Sequence, residues 1–337
     1  MPTIVDVFSQ DAFNLISMTR ALENLPYQEM RLGMMGLFDA SEGVESDTVV
    51  VDETDGVLQV LANRPRGSEP ERAKKDPKAK SHAITVPHFQ FEDRILAASL
   101  FGKRQPGETF MQSVARKVND RQTWMRGQIE VTHEIHRLNA LKGILLDSDG
   151  STIHNFFTIF GVTQQTHDFV LSNATTKVRS ETVAAKRKIE AALDGVPYME
   201  VRAICGKNFF DTFIEHPLVR DTYIQQEART LRDDIRYTGF NFGGVVWEEY
   251  RGMSNFANDI GIVNEDEAVM FPVGVPGMYR HYSAPGDFVE TVNTLGLPMY
   301  SKVAPDMKYN RWVDLLVETN PLFMNTRPRA VLKITKS

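Results

Sequence analysis

Cysteine is almost missing: Cys205 stands alone in 337 residues, so no disulfide can form within the chain, and this usage fits a reducing compartment. Long apolar runs are missing too, and no stretch approaches the ~18 uncharged apolar residues a membrane span needs. Basic charge is in short supply: 38 Lys and Arg face 44 Asp and Glu, for a formal net charge of −6. A protein that grips nucleic acid usually carries a basic excess, because phosphate neutralisation supplies most non-specific affinity. The balance disfavours a dedicated nucleic-acid binder but not a protein that merely encloses nucleic acid. The opening Met1-Pro2-Thr3-Ile4-Val5-Asp6 is acidic and no basic residue precedes Arg20. No signal or transit peptide is expected, and the chain reads as cytoplasmic when made.

With 42% hydrophobic and 24% charged residues, the chain has the means to build real cores, as two domains or as one with large extensions. A helix is expected from about Asp11 to Glu23, capped by Asp11 or Ser9, with Phe13, Ile16 and Leu22 on one face and Pro26 ending it. Val49–Val51 and Val57–Leu61 flank Asp52-Glu53-Thr54-Asp55-Gly56 and read as strand, turn, strand; Ala83–Val86 resumes as a strand before Pro87. Between them runs a basic tract of Arg64, Arg66, Arg72, Lys74, Lys75, Lys78 and Lys80, carrying +4 in a chain whose remainder carries −10. A polar segment of this length cannot bury itself, so it is either a solvated loop or a segment ordered by a neighbouring chain.

Gly107 to about Lys142 is the strongest helix, with an apolar stripe of Phe110, Met111, Val114 and Val118 continued by Met125, Ile129, Ile135, Leu138 and Leu141. At ~1.5 Å per residue it is on the order of 50 Å long. Arg126–Glu130 and Glu134–Arg137 are expected as opposite-charge neighbours on its exposed side. Ile144–Leu146 and Ser151–Ile153 form a hairpin around Asp147-Ser148-Asp149-Gly150. A second helix spans Arg179 to Leu193, capped at Ser180 and stopped by Asp194-Gly195; Glu200–Cys205 alternates like a strand, and Asn208–Glu215 is helical up to Pro217. From Tyr237 onward glycine, proline and short strand-like runs alternate, indicating a sheet-rich region.

No motif completes a catalytic or metal-binding pattern. His133-Glu134-Ile135-His136 places its histidines three apart where a zincin needs four, and reads as a solvated helix face. Asp147-Ser148-Asp149-Gly150 lacks the further ligands of a calcium loop, since position twelve is Thr158. Gly206-Lys207-Asn208 and Gly239–Gly244 do not complete a phosphate loop, and Cys205 has no His and acid framework around it. No catalytic, cofactor-binding or metal residue is expected.

The order of short signatures resembles the lambda-type family E of tailed-phage major capsid proteins. They are Gly143–Gly150 followed by Phe156–Gly161, Phe242–Gly252, Phe271–Tyr279, Tyr282–Asp287 with Glu290–Gly296, and Glu318–Leu322. The resemblance implies an α+β chain with the tailed-phage major capsid protein fold (HK-ninety-seven-like). Residues 1–40 would be an N-terminal arm, 41–96 an E-loop, and 97–195 a P-domain with its spine helix at about 107–142. Residues 196–310 would be mostly A-domain, and 311–337 strands returning to the P-domain. It implies a structural subunit that forms hexamers and pentamers of an icosahedral head in the virion, assembled in the host cytoplasm. Its partners would be further copies of itself, a separate scaffolding protein, a portal, a decoration protein, and packaged DNA without sequence-specific contact. The basic tract would be the intersubunit part of the E-loop. Two other readings are an encapsulin-like compartment of the same fold and a metal-dependent hydrolase using His133 and His136.

Overall fold

A computed structural model describes residues 15–23, 30–53, 80–100, 110–225, 236, 239–252, 260–309 and 311–337. The long helix, Phe110–Lys142, runs 33 residues and begins close to where the apolar stripe starts. Gly143, at φ +87°, ends it; a Cβ there would also strike the Phe157 ring at 2.6 Å, so glycine is required twice over.

Six strands form the largest sheet, in the order Gln165–Asp168, Leu332–Thr335, Glu267–Val273, Glu200–Cys205, Val245–Glu249, Phe240–Phe242. Helices Val178–Leu193 and Lys207–Glu215 supply side chains to the apolar core of this sheet, and Trp247, with no exposure, stacks on Phe213 at 4.4 Å between ring centroids. A second core lies under an antiparallel three-stranded sheet of Tyr300–Pro305, Trp312–Thr319 and Phe89–Leu96. A third gathers around the strands Tyr279–Ser283 and Pro321–Asn325, the hairpin Ile144–Leu146 with Thr152–Asn155, and the short helix Phe156–Ile159. The long helix contributes to all three: Leu138 and Leu141 to the first, Val118, Met125 and Ile129 to the second, Ala140 to the third.

Several expectations change in detail. The described part of the first helix, Leu15–Glu23, buries Met18, Thr19 and Leu22 and leaves Ile16 exposed, while Phe13 lies outside the described residues. The strand at Val49–Val51 does not turn at Asp52: it runs on as Thr48–Glu53 and pairs antiparallel with Lys80–Thr85. Val57–Leu61 lies outside the described residues. Ser180 is not the cap of its helix, which spans Val178–Leu193; its backbone N–H donates to Lys177 within the first turn. Asp194 does end that helix, in the left-handed region at φ 49°. Pro217 ends Lys207–Glu215 only by starting another helix, Pro217–Gln225, because proline is well placed at a first helical position.

Candidate assembly site

The basic tract is the expected intersubunit segment. Arg64, Arg66, Arg72, Lys74, Lys75 and Lys78 lie outside the described residues; Lys80 opens the strand Lys80–Thr85, opposite Glu53. The root of that strand pair is firmly built. Val49, Ile84 and Val86 are buried in the third core, Val86 donates its N–H to Asp47 at 2.7 Å, and a ring nitrogen of His154 lies 2.7 Å from the Thr85 carbonyl. His82 meets Phe160 edge to face.

The His133–His136 helix face is buried, which corrects the solvated reading. His133 is 2% exposed, and Glu134 and His136 are 3% exposed. Arg126 and Glu130 are buried beside them, so the charged neighbours face inward too. The physical reason is that several elements pack on the helix: strands Tyr279–Ser283 and Pro321–Asn325 cover His133 with His281 and Phe323, Phe89 meets His136 edge to face, and Arg126 donates to the Leu22 carbonyl. His281 stacks on Phe323 at 4.1 Å and lies 6.3 Å from His133, Arg137 covers the same phenylalanine at 5.1 Å, and His133 Nε2 sits 2.9 Å from Thr319 Oγ1. Burial holds these imidazoles neutral. His133 falls well below its ordinary range through burial first and its histidine neighbour second. Burial lowers His136 to about 4, and burial with the Arg137 charge lowers His281 to about 3. Among the described residues no group of three His, Cys, Asp or Glu could hold a metal.

Glu134 has a structural task that the motif hides. Its carboxylate accepts the N–H of Leu32 at 2.7 Å and of Gly33 at 3.1 Å, with Tyr250 Oη donating at 3.3 Å and Arg137 3.6 Å away. It therefore caps the short helix Arg31–Met34 from another element, putting negative charge at the end that favours it. Glu248, 1% exposed, is held between Arg31 and Arg202. Sequence reasoning expected the Glu134–Arg137 pair but missed the capping role of Glu134 and the burial of Glu248, since Leu32, Gly33 and Tyr250 lie about a hundred residues or more from Glu134, and Arg31 lies farther still from Glu248.

The other candidates are structural. Asp147–Gly150 is the hairpin turn, with Asp147 and Asp149 accepting from the Ser148 and Ser151 backbones. Gly206 precedes Lys207–Glu215, and a Cβ there would meet the Asn264 carbonyl at 2.0 Å; close backbone approach, not phosphate, explains it. Cys205 is fully buried, and burial followed by the charge of Glu248 pushes its thiol well up, away from reactivity.

A family model described as phage major capsid protein E matches residues 14–336. The chain belongs to that family. It is a structural capsid subunit and not an enzyme, and the hydrolase and encapsulin-like readings are set aside. A curated relative, the major capsid protein of Pseudomonas phage KPP10, is 27% identical over 96% of this chain and 97% of its own length. The major capsid protein of Salmonella phage Felix O1 is 22% identical over 71% of this chain and 70% of its own. Among solved structures, a putative capsid protein of an E. coli CFT073 prophage matches the fold over 96% of this chain and 99% of its own at TM-score 0.61 and 11% identity. The mature capsid subunit of bacteriophage PhiM1 matches over 93% and 89% at TM-score 0.51 and 14% identity. The fold is therefore the phage capsid fold, in a chain that mixes helices and sheets throughout.

Proposed function

We propose that the chain builds an icosahedral phage head by associating as hexamers and pentamers around double-stranded DNA. The observation that carries this reading is the full-length agreement with phage major capsid protein E, residues 14–336. In this reading residues 1–40 are the arm, 41–96 the E-loop, 97–195 the P-domain, 196–310 mostly the A-domain, and 311–337 the returning strands. The E-loop assignment is supported by the rooted strand pair Thr48–Glu53 with Lys80–Thr85, whose connecting residues 54–79 hold most of the basic tract. Its end is better drawn near Pro87, because Phe89–Leu96 already belongs to the three-stranded sheet. The tract lies across an acidic surface of the adjacent subunit in this proposal, and Arg64, Arg66, Arg72, Lys74, Lys75, Lys78 and Lys80 are its contact residues. A scaffolding protein, a portal and a decoration protein are the further partners, assembly takes place in the host cytoplasm, and DNA is enclosed without sequence-specific contact.

The net charge of −6 suits this role, since a genome driven inward slides over a wall that does not bind it. Many weak contacts per subunit give a durable shell while each stays reversible enough to correct errors. Light scattering and negative-stain microscopy of the purified chain, across protein concentration, salt and crowding agents, test the reading. Capsomers, shells or tubes are expected; a species that stays monomeric under every condition contradicts it.

A further inference from the structure

We infer that the loop Phe288–Pro298 is an apolar contact surface for a second copy of this chain, an inference that rests on the proposed shell-building function. Four large aliphatic side chains stand out into solvent there: Val289 is 89% exposed, Val292 65%, Leu295 61% and Leu297 43%. Scattered exposed apolar residues need no explanation, but four within nine consecutive residues form a patch of the kind that marks an interaction site.

The loop is held rigid from beneath. Thr291 Oγ1 donates to the carbonyls of Gly286 and Phe288, and Thr294 Oγ1 donates to Thr291 at 2.8 Å. The backbone N–H of Leu297 donates to Tyr300 Oη at 2.8 Å, and Gly296 donates to Val44 at 2.9 Å. Gly296 is pressed against the strand Tyr279–Ser283, where a Cβ would meet the Ser283 carbonyl at 2.0 Å. Lys302 pairs with Glu290 at 2.9 Å and covers the Phe288 ring at 4.9 Å. Thr291 is turned inward and used, while Glu290, Asn293 and Thr294 are exposed beside the four aliphatic side chains. A surface fixed in advance loses little freedom when it is covered.

Charge selects the occupant. Apart from Glu290, whose charge is paired with Lys302, residues 288–301 carry no charged side chain, in a chain of net charge −6. Two copies of an acidic subunit repel broadly, so they meet at least cost where each presents an uncharged apolar face. The loop also adjoins the base of the strand pair Thr48–Glu53 with Lys80–Thr85, through Val44 and through Gly43, whose Cβ would meet the Gly296 carbonyl at 2.5 Å. Contact made at this loop therefore bears directly on the segment assigned to reach a neighbour.

The fully buried Cys205 makes a single introduced thiol a selective reporter. Leu295→Cys is treated with a maleimide in the dissociated subunit and in shells assembled from the chain alone. Strong labelling of the subunit and at least tenfold slower labelling of the shell is the expected result. Equal labelling in both overturns the inference and leaves the face to a different protein, while failure of the unmodified chain to assemble counts against the proposed function instead. The double variant Val292→Asp with Leu295→Asp is the second measurement. It is expected to keep the unmodified chain's unfolding midpoint and to lose shell formation; shells at the unmodified yield overturn the inference.

Discussion

His133, His136 and His281 carry their imidazoles into a space where the cost of burying a charge outweighs the pull of nearby carboxylates. The charged groups that face them are Glu130, 3.9 Å from His133, together with Arg137 and Asp147, and two ring nitrogens, His136 Nδ1 and His281 Nε2, have no hydrogen-bond partner among the described residues. In the unfolded chain each imidazole takes up a proton near its ordinary value of about 6.5. The folded chain keeps His136 neutral down to about 4 and His281 down to about 3. Between those limits the unfolded state binds more protons, so stability is fullest above about pH 6.5 and falls as pH drops. His136 and His281 each account for a loss on the order of 2 kcal/mol by pH 5, and His133 adds to it in the same direction. Urea unfolding of the dissociated subunit from pH 7 to 5 should show that fall, and His281→Phe, which keeps the stack on Phe323, should flatten it measurably. A slope unchanged by the substitution contradicts the assignment. Glu134→Gln makes a second residue-scale test. An amide presents one acceptor where the carboxylate presents two, so Leu32 or Gly33 loses its partner. The expected cost is about 1–2 kcal/mol, seen as a lowered thermal midpoint.

Elements divide into those that local pattern determines and those that distant partners decide. The helix Phe110–Lys142 and the hairpin at 144–155 were readable because helical spacing and turn residues sit close together in the chain. The orientation of that same helix was not readable. Its charged and imidazole side chains look solvent-facing until the strands carrying His281 and Phe323, well over a hundred residues later, cover them. The partner of Thr48–Glu53 was hidden for the same reason, since the nearest apolar run, Val57–Leu61, is a closer candidate than Lys80–Thr85. The proposed assembly site rests on composition alone, because the ion pairs proposed between chains would leave no trace in one chain's periodicity. Deleting Pro65 to Ala79 spares Lys80, which opens the paired strand. The unfolding midpoint of the subunit should change little while shell formation is impaired; single Lys→Ala changes should matter little, each exposed pair being worth ~0–1 kcal/mol. Shells at the unmodified yield and salt dependence reduce the tract to a solvated loop.

For the whole molecule, one helix serving three cores means that damage to one core is felt by the others. Leu138 has no exposure and belongs to the core under the six-stranded sheet, while Met125 on the same helix belongs to the core under the three-stranded sheet. Leu138→Ala should cost about 2–5 kcal/mol. Calorimetry is expected to show one transition moved downward as a unit; two separated transitions, with only one moved, contradict the shared-helix reading.

The order of the largest sheet also sets a schedule. Leu332–Thr335 is an interior strand, parallel to Gln165–Asp168 and antiparallel to Glu267–Val273. It is also the last of the described strands in chain order. Until it arrives, Gln165–Asp168 has no neighbour among the described strands, and the buried side chains Leu332 and Ile334 are missing from the core they complete. A nascent subunit therefore cannot close its main sheet before Leu332–Thr335 has emerged, and its readiness to join others waits on that strand.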